Sequence, residues 1–175
     1  MKGPAAGVPA LFVILMAAAG CGYRVAGRAD TLPKTIRTIE VPAFGNVTIR
    51  YKLTDRLPAA VTREFLTRTR YRVVPGPGEA DAVLEGAVVS YNSYPIIFDP
   101  STGRASSAQM SVVLNITLRE RKTGAVLFAR SRMEFRERYE ISVDERAYFE
   151  ESDPAVERLS RDVARAVVSA VLENF

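Results

Sequence analysis

Gln109-Met110-Ser111-Val112-Val113-Leu114-Asn115-Ile116-Thr117-Leu118-Arg119 alternates almost without a break between apolar and polar residues. Successive side chains of a strand point to opposite faces. Met110, Val112, Leu114, Ile116 and Leu118 therefore share one side, and Ser111, Val113, Asn115, Thr117 and Arg119 the other. One face against a core and one toward water is the mark of an antiparallel sheet. Arg121-Lys122-Thr123-Gly124 then reads as a turn, and Ala125 to Tyr139 as the returning strand of a long hairpin.

The returning strand carries two rows. Leu127, Ala129, Ser131, Met133 and Phe135 are expected to face the core. Arg130, Arg132, Glu134, Arg136 and Arg138 are expected on the other side, about 6.6 Å apart by strand rise, with Arg119 added from the neighbouring strand. Guanidinium groups bind phosphates bidentately, so this row is a candidate surface for an anionic ligand or a partner. The competing reading is a solvated strand face partly neutralised by Glu134 and Glu137.

Outward from the hairpin the chain alternates between short strands and two helices. Ile36 to Phe44 is β-rich, and Gly45-Asn46 reads as a turn. Leu53, Leu57, Val61 and Phe65 recur every four residues and predict an amphipathic helix, with Asp55 as its N-cap and Pro58 in its first turn. Tyr71 to Val74 and Ala82 to Tyr91 read as strands. Residues 92–108 read as a long connection whose opening cluster, Tyr94 to Phe98, either folds over the core edge or projects as an apolar anchor. Ser152-Asp153 with Pro154 at the first helical position starts a second helix, with Val156, Leu159, Val163, Val167, Ala170 and Val171 along one face. The expected fold is an α/β (α+β) two-layer sandwich. Both helices pack on one face of a small mixed, largely antiparallel sheet, and the other face stays open.

Composition narrows the chemistry. The chain has 175 residues, a net charge of +4, no histidine and one cysteine. A Cys/His metal centre and a Ser-His or Cys-His nucleophile are therefore excluded, no cofactor-binding motif is present, and the mild basicity is not that of a nucleic-acid binder. The lone cysteine, Cys21, follows an apolar run from Val8 to Ala19 that is too short to span a bilayer but fits a secretory signal segment. Ala18-Ala19-Gly20-Cys21 reads as a bacterial lipobox. Residues 1–20 are then a signal peptide, 21–34 a tether lipidated at Cys21, and 35–175 a single domain. Gly22, rather than Asp, after the cysteine points to the outer membrane, on its periplasmic face.

Several segments taken together resemble a known family. They are Cys21-Gly22-Tyr23-Arg24, the run Thr38-Ile39-Glu40-Val41-Pro42-Ala43-Phe44-Gly45-Asn46-Val47-Thr48, Ala80-Asp81-Ala82-Val83-Leu84-Glu85-Gly86, Arg121-Lys122-Thr123-Gly124-Ala125-Val126-Leu127, and Leu159-Ser160-Arg161-Asp162-Val163-Ala164. Their order and spacing resemble the LptE family of lipopolysaccharide-assembly lipoproteins. The resemblance implies a non-catalytic protein, lipid-anchored through Cys21 at the outer membrane. It would plug an LptD-like β-barrel and bind lipopolysaccharide during its transport. Thr38 to Asn46, the helix after it and Tyr71 to Pro75 also resemble two other groups, the periplasmic lipoproteins that activate cell-wall synthases and the curli-type secretion subunit. Mass spectrometry of the mature N-terminus is expected to find a chain that begins at Cys21 and carries acyl chains. An unmodified Cys21 would remove the anchor.

Overall fold

The computed structural model describes residues 32–76, 78–141 and 152–173. Cys21, the signal segment and most of the tether lie outside the described residues. The element order is β1 (Thr38–Glu40), β2 (Gly45–Asn46), α1 (Leu53–Arg68), β3 (Arg72–Val73), β4 (Ala82–Phe98), β5 (Ala105–Glu120), β6 (Val126–Glu140) and α2 (Ser152–Glu173).

The alternating stretch forms most of β5, and its five apolar residues on the predicted face are all buried. β4 and β6 pair antiparallel with β5 on either side. The strand order is β3-β1-β4-β5-β6, with β2 also on β4. β1 runs parallel to both β3 and β4, so the sheet is mixed. Leu53, Leu57, Val61 and Phe65 of α1 are buried, as are Val156, Leu159, Val163, Val167, Ala170 and Val171 of α2. They join Met110, Val112, Leu114, Ile116 and Leu118 in one core cluster. The fold is the expected α+β sandwich, two helices over one face of a six-stranded sheet. Fully burying each such Leu, Val or Phe contributes roughly 1.5–3 kcal/mol, which is why neither helix nor sheet is stable alone.

Four local expectations change. First, α1 begins at Leu53, and Lys52 rather than Asp55 is its N-cap, with no side-chain capping bond. Pro58 therefore lies in the helix interior, where its missing N–H leaves the Thr54 carbonyl without an intrahelical partner. The Phe44 N–H donates to that carbonyl at 3.1 Å, which supplies the lost bond from outside the helix. Second, Gly45–Asn46 is a strand, parallel to Ala87–Val88 of β4. The turn comes after it, where Asn46 Oδ1 accepts from the Thr48 N–H and hydroxyl, and Asn46 Nδ2 donates to the Arg50 carbonyl.

Third, residues 92–108 are not a long loop. β4 runs on to Phe98 and β5 starts at Ala105. The reversal between them is closed by Asp99, whose Oδ1 accepts from the N–H groups of Ser101 and Thr102, and by Gly103 at φ 68. Pro95 hid this strand. It is tolerated because β2 reaches only Val88, so β4 is an edge strand here, and the register slips directly after Pro95. Fourth, Ser152 and Asp153 are already helical. Asp153 instead accepts from Lys52 at 3.0 Å and Arg56 at 3.3 Å, joining the starts of the two helices. The Lys52 hydrogen bond, aided by the Arg56 charge, holds the Asp153 carboxyl below its ordinary range.

Two contacts fix the edge of the sheet. A Cβ built on Gly86 would lie 2.6 Å from the Phe44 ring, so the buried ring occupies the space that a side chain on β4 would need. Gly86→Ala is expected to destabilise the fold by about 1–3 kcal/mol through overpacking, read as a lowered urea midpoint. At the strand starts, Asp81 Oδ2 accepts from Arg37 N, Thr38 N and Thr38 Oγ1 at 2.9, 3.0 and 2.9 Å. The Asp81 N–H returns a bond to the Thr38 carbonyl, and the Arg121 N–H donates to the Asp81 carbonyl. These donors, the Arg37 N–H foremost, lower the Asp81 pKa from 3.8. A carboxyl lowered in the folded state stabilises fully above its unfolded pKa. That stability is lost as pH falls through the folded value. Asp81→Ala is therefore expected to lower stability at neutral pH by about 1–3 kcal/mol. The gap to the wild type should close in melting curves taken below pH 3.8.

Candidate functional site

The arginine row is divided by a bulge. Leu114 pairs with Met133 and Ile116 with Arg130, so Asn115 of β5 faces both Ser131 and Arg132 of β6. Arg132 has φ 56, the only positive φ outside glycine among the described residues. Its N–H donates to Asn115 Oδ1 at 2.9 Å, which compensates for the broken ladder. One extra residue shifts the side-chain phase by one. Beyond the bulge, Met133 and Phe135 pack against the core as expected. Before it, Phe128 is the buried residue, paired with Leu118, and Arg130 pairs with Ile116 on the helix side. Arg130 thus leaves the expected row and lies over the Phe128 ring, 5.9 Å from its centroid. Ala129, expected to face the core, pairs with Thr117 on the open face.

Arg132, Arg136 and Arg138 remain on the open face with Glu134. Arg136 Nε donates to Glu134 Oε1 at 2.8 Å, and the Ser111 hydroxyl donates to the same oxygen at 2.9 Å. These two bonds, with the charges of Arg136 and Arg132, hold the Glu134 carboxyl below its usual range. Glu134 in turn raises the Arg136 pKa. Arg138 Nε donates to the buried Ser107 hydroxyl at 2.9 Å. Arg119 shares the face, but Asn115 and Arg119 are four residues apart, about 13 Å along the strand. Its guanidinium is turned to the Gly124 carbonyl at 2.9 Å. Of the five arginines, Arg132 and Arg136 therefore flank the Glu134 carboxylate, Arg138 extends the strip on the same face with its guanidinium on Ser107, and Arg119 and Arg130 stand outside it. Three cations to one anion leave the strip net positive, and planar oxyanions fit it best.

The strip runs toward an apolar end. Tyr94 pairs with Gln109, which pairs with Arg138, and Gln109 Nε2 donates to the Tyr94 hydroxyl at 3.1 Å. Tyr94, Ile97 and Phe98 are exposed, so this cluster projects instead of folding over the core. A second apolar set escaped the sequence reading. Val47, Ile49 and Tyr51 in the loop before α1 are exposed, Ile49 by 92%. The loop lies beside β4, with the Val47 N–H on the Val88 carbonyl and the Arg50 guanidinium 5.1 Å from the Tyr91 ring centroid. The available signal was the polar Asn46-Val47-Thr48-Ile49-Arg50 alternation, which continues the strand pattern past Gly45-Asn46. For the bulge it was the odd spacing between Phe128 and Met133.

Among the described residues, no three Asp, Glu, His or Cys side chains are grouped to hold a metal ion, and no helix is long and apolar enough to cross a membrane. No curated protein sequence matches the chain. In fold it is similar to a lipoprotein of Caulobacter crescentus, at a TM-score of 0.55 and 16% identity, over 77% of this chain and 88% of that one. It is also similar to lipoprotein B of Nitrosomonas europaea, at 0.54 and 16%, over 85% and 91%. Rare lipoprotein B of Shewanella oneidensis aligns at 0.50 and 12%, over 78% and 92%. At these identities the likeness establishes the fold. Sequence carries the assignment further, because the profile of the LptE family, described as lipopolysaccharide-assembly, matches residues 36–171. The chain belongs to the LptE, lipopolysaccharide-assembly family.

Proposed function

We propose that this chain is a lipid-anchored, non-enzymatic component of the outer membrane that seats in an LptD-like β-barrel and assists lipopolysaccharide assembly there. The observation that carries the reading is the three-stranded end of the sheet, where Tyr94, Ile97 and Phe98 stand exposed next to the Arg132–Arg136–Arg138 strip. Exposed aromatic and aliphatic residues beside a cationic face suit an interface with an apolar centre and a charged rim. They equally suit an amphiphile that carries phosphates on an acylated sugar. Family membership favours this over a cell-wall synthase activator or a secretion pore. The absence of histidine and of a second cysteine from the sequence agrees with a role in binding.

Affinity purification of the acylated chain from solubilised outer membranes is expected to recover one large β-barrel protein. Ile97→Asp with Phe98→Asp should reduce that recovery at least tenfold and leave the melting temperature in place, since both side chains are already exposed. Arg132→Gln, Arg136→Gln and Arg138→Gln together should weaken lipopolysaccharide binding roughly fivefold or more, about 1 kcal/mol for each lost contact that matters. Recovery of a peptidoglycan synthase, or of copies of the chain alone, would replace this reading with one of its rivals.

A further inference from the structure

The two long edges of the sheet differ in chemistry. β6 ends the sheet among the described residues, and seven of its 15 residues are Arg or Glu. The other long edge belongs to β4 once β2 has stopped at Val88. From Val89 to Phe98 that strand reads Val-Ser-Tyr-Asn-Ser-Tyr-Pro-Ile-Ile-Phe, without a single charge. Seven of these ten residues are exposed, so the stretch is open to solvent. Charges, short length and proline keep an edge from pairing with foreign strands. This edge has only Pro95, which leaves Val89 to Tyr94 unguarded, roughly 20 Å at strand rise. In the antiparallel ladder with β5, alternate residues of β4 turn their N–H and C=O groups away from β5. Those groups form a template for one more strand.

Both ends of the template are marked by apolar side chains. At one end Val47, Ile49 and Tyr51 stand exposed in the loop after β2. The Val47 N–H on the Val88 carbonyl fixes that loop beside β4. At the other end are Tyr94, Ile97 and Phe98, the residues assigned above to the barrel interface. A second copy of the chain does not fit between them. Its β4 runs for 17 residues, and in either direction it would meet β2 and Val47 after about six.

We infer that this edge takes up a short, extended, uncharged segment of the β-barrel partner as an added strand of the sheet. Main-chain hydrogen bonds supply the affinity, and the apolar side chains at the two ends set the position. The segment ends or turns at the Val47–Tyr51 loop, and it is continuous with the contact at Tyr94 to Phe98. That the segment belongs to a barrel protein rests on the proposed function. The pairing itself is read from the edge.

The acylated chain, purified from outer membranes with the barrel protein it retains, is compared with the chain alone by amide hydrogen exchange. Outward amides within Val89–Tyr94 are expected to exchange at least tenfold more slowly in the complex. Val89→Lys with Asn92→Lys gives β4 the kind of charge that β6 carries, at two exposed positions. That variant should melt as the wild type does, recover at least fivefold less barrel protein and lose the protection. If it melts early, the exchange comparison on the wild type decides alone. Unchanged exchange in the wild-type complex overturns the inference and leaves the barrel reading standing, as does undiminished recovery by a folded lysine variant. Slow exchange already present in the chain alone overturns it too, because the edge is then filled without the partner. Recovery of no barrel protein overturns both.

Discussion

Burial of one face of β5 beneath two helices sets the phase of every strand beside it. β5 is paired along both edges, so its apolar residues cannot turn outward without forcing β4 and β6 to turn too. A slip of one residue would carry Met110, Val112, Leu114, Ile116 and Leu118 to the open side and bring Ser111, Asn115, Thr117 and Arg119 under the helices. At roughly 1.5–3 kcal/mol for each buried apolar side chain, such a slip is not recoverable. The neighbouring strands therefore absorb irregularity that β5 cannot. Both register shifts against β6 and two of the three against β4 place the extra residue outside β5; the third places it at Ser106 of β5, past the buried apolar residues.

Those irregularities shape the surface. The bulge at Ser131 and Arg132 moves Arg130 to the helix side and leaves Arg132, Arg136 and Arg138 on the open face, with Arg136 bonded to Glu134. It also breaks the regularity of β6, which among the described residues pairs with β5 alone and ends the sheet. A charged, bulged edge resists pairing with further strands, which protects a chain whose longest strands are exposed. On the other side of the sheet, one missing N–H has distant effects. Pro58 frees the Thr54 carbonyl, the Phe44 N–H takes it, and the Phe44 ring closes over Gly86. The helix interruption is thereby used to pin the segment between β1 and β2 to the centre of the sheet.

The functional surfaces separate along the long axis of β4. Leu32, the first described residue, and the basic cleft lined by Lys34, Arg37, Arg70 and Arg72 lie at the end where β1, β3 and the start of β4 meet, tied by Asp81. Tyr94, Ile97 and Phe98, with Arg136 and Arg138, lie toward the other end, past the reach of β1, β2 and β3, while Arg132 begins the strip level with β2. Two charged regions with different geometry follow from this. In the cleft, cations from separate segments ring an apolar floor. In the strip, cations alternate along one strand, and the bond from Arg136 to Glu134 fixes its geometry at the expense of net charge.

Periodicity alone determined the two helices, the central hairpin and the side of β5 that is buried, because strict repeats of two and of about four residues have one economical burial. Composition alone excluded histidine-based and cysteine-cluster chemistry, and position alone marked Cys21 as the anchor candidate. The sequence did not show that β4 continues through Pro95, because a proline in a strand depends on whether the strand has a free edge, and that is a property of its neighbours. Nor did it show which arginines stand together. The run from Arg130 to Arg138 looks uniform in sequence, and the extra residue that divides it has no glycine to mark it. The basic cleft was equally hidden, since Lys34 and Arg72 are brought together only by the parallel pairing of β1 with β3. Local pattern decides which face of an element is buried. Only the pairing of distant strands decides which charges become neighbours.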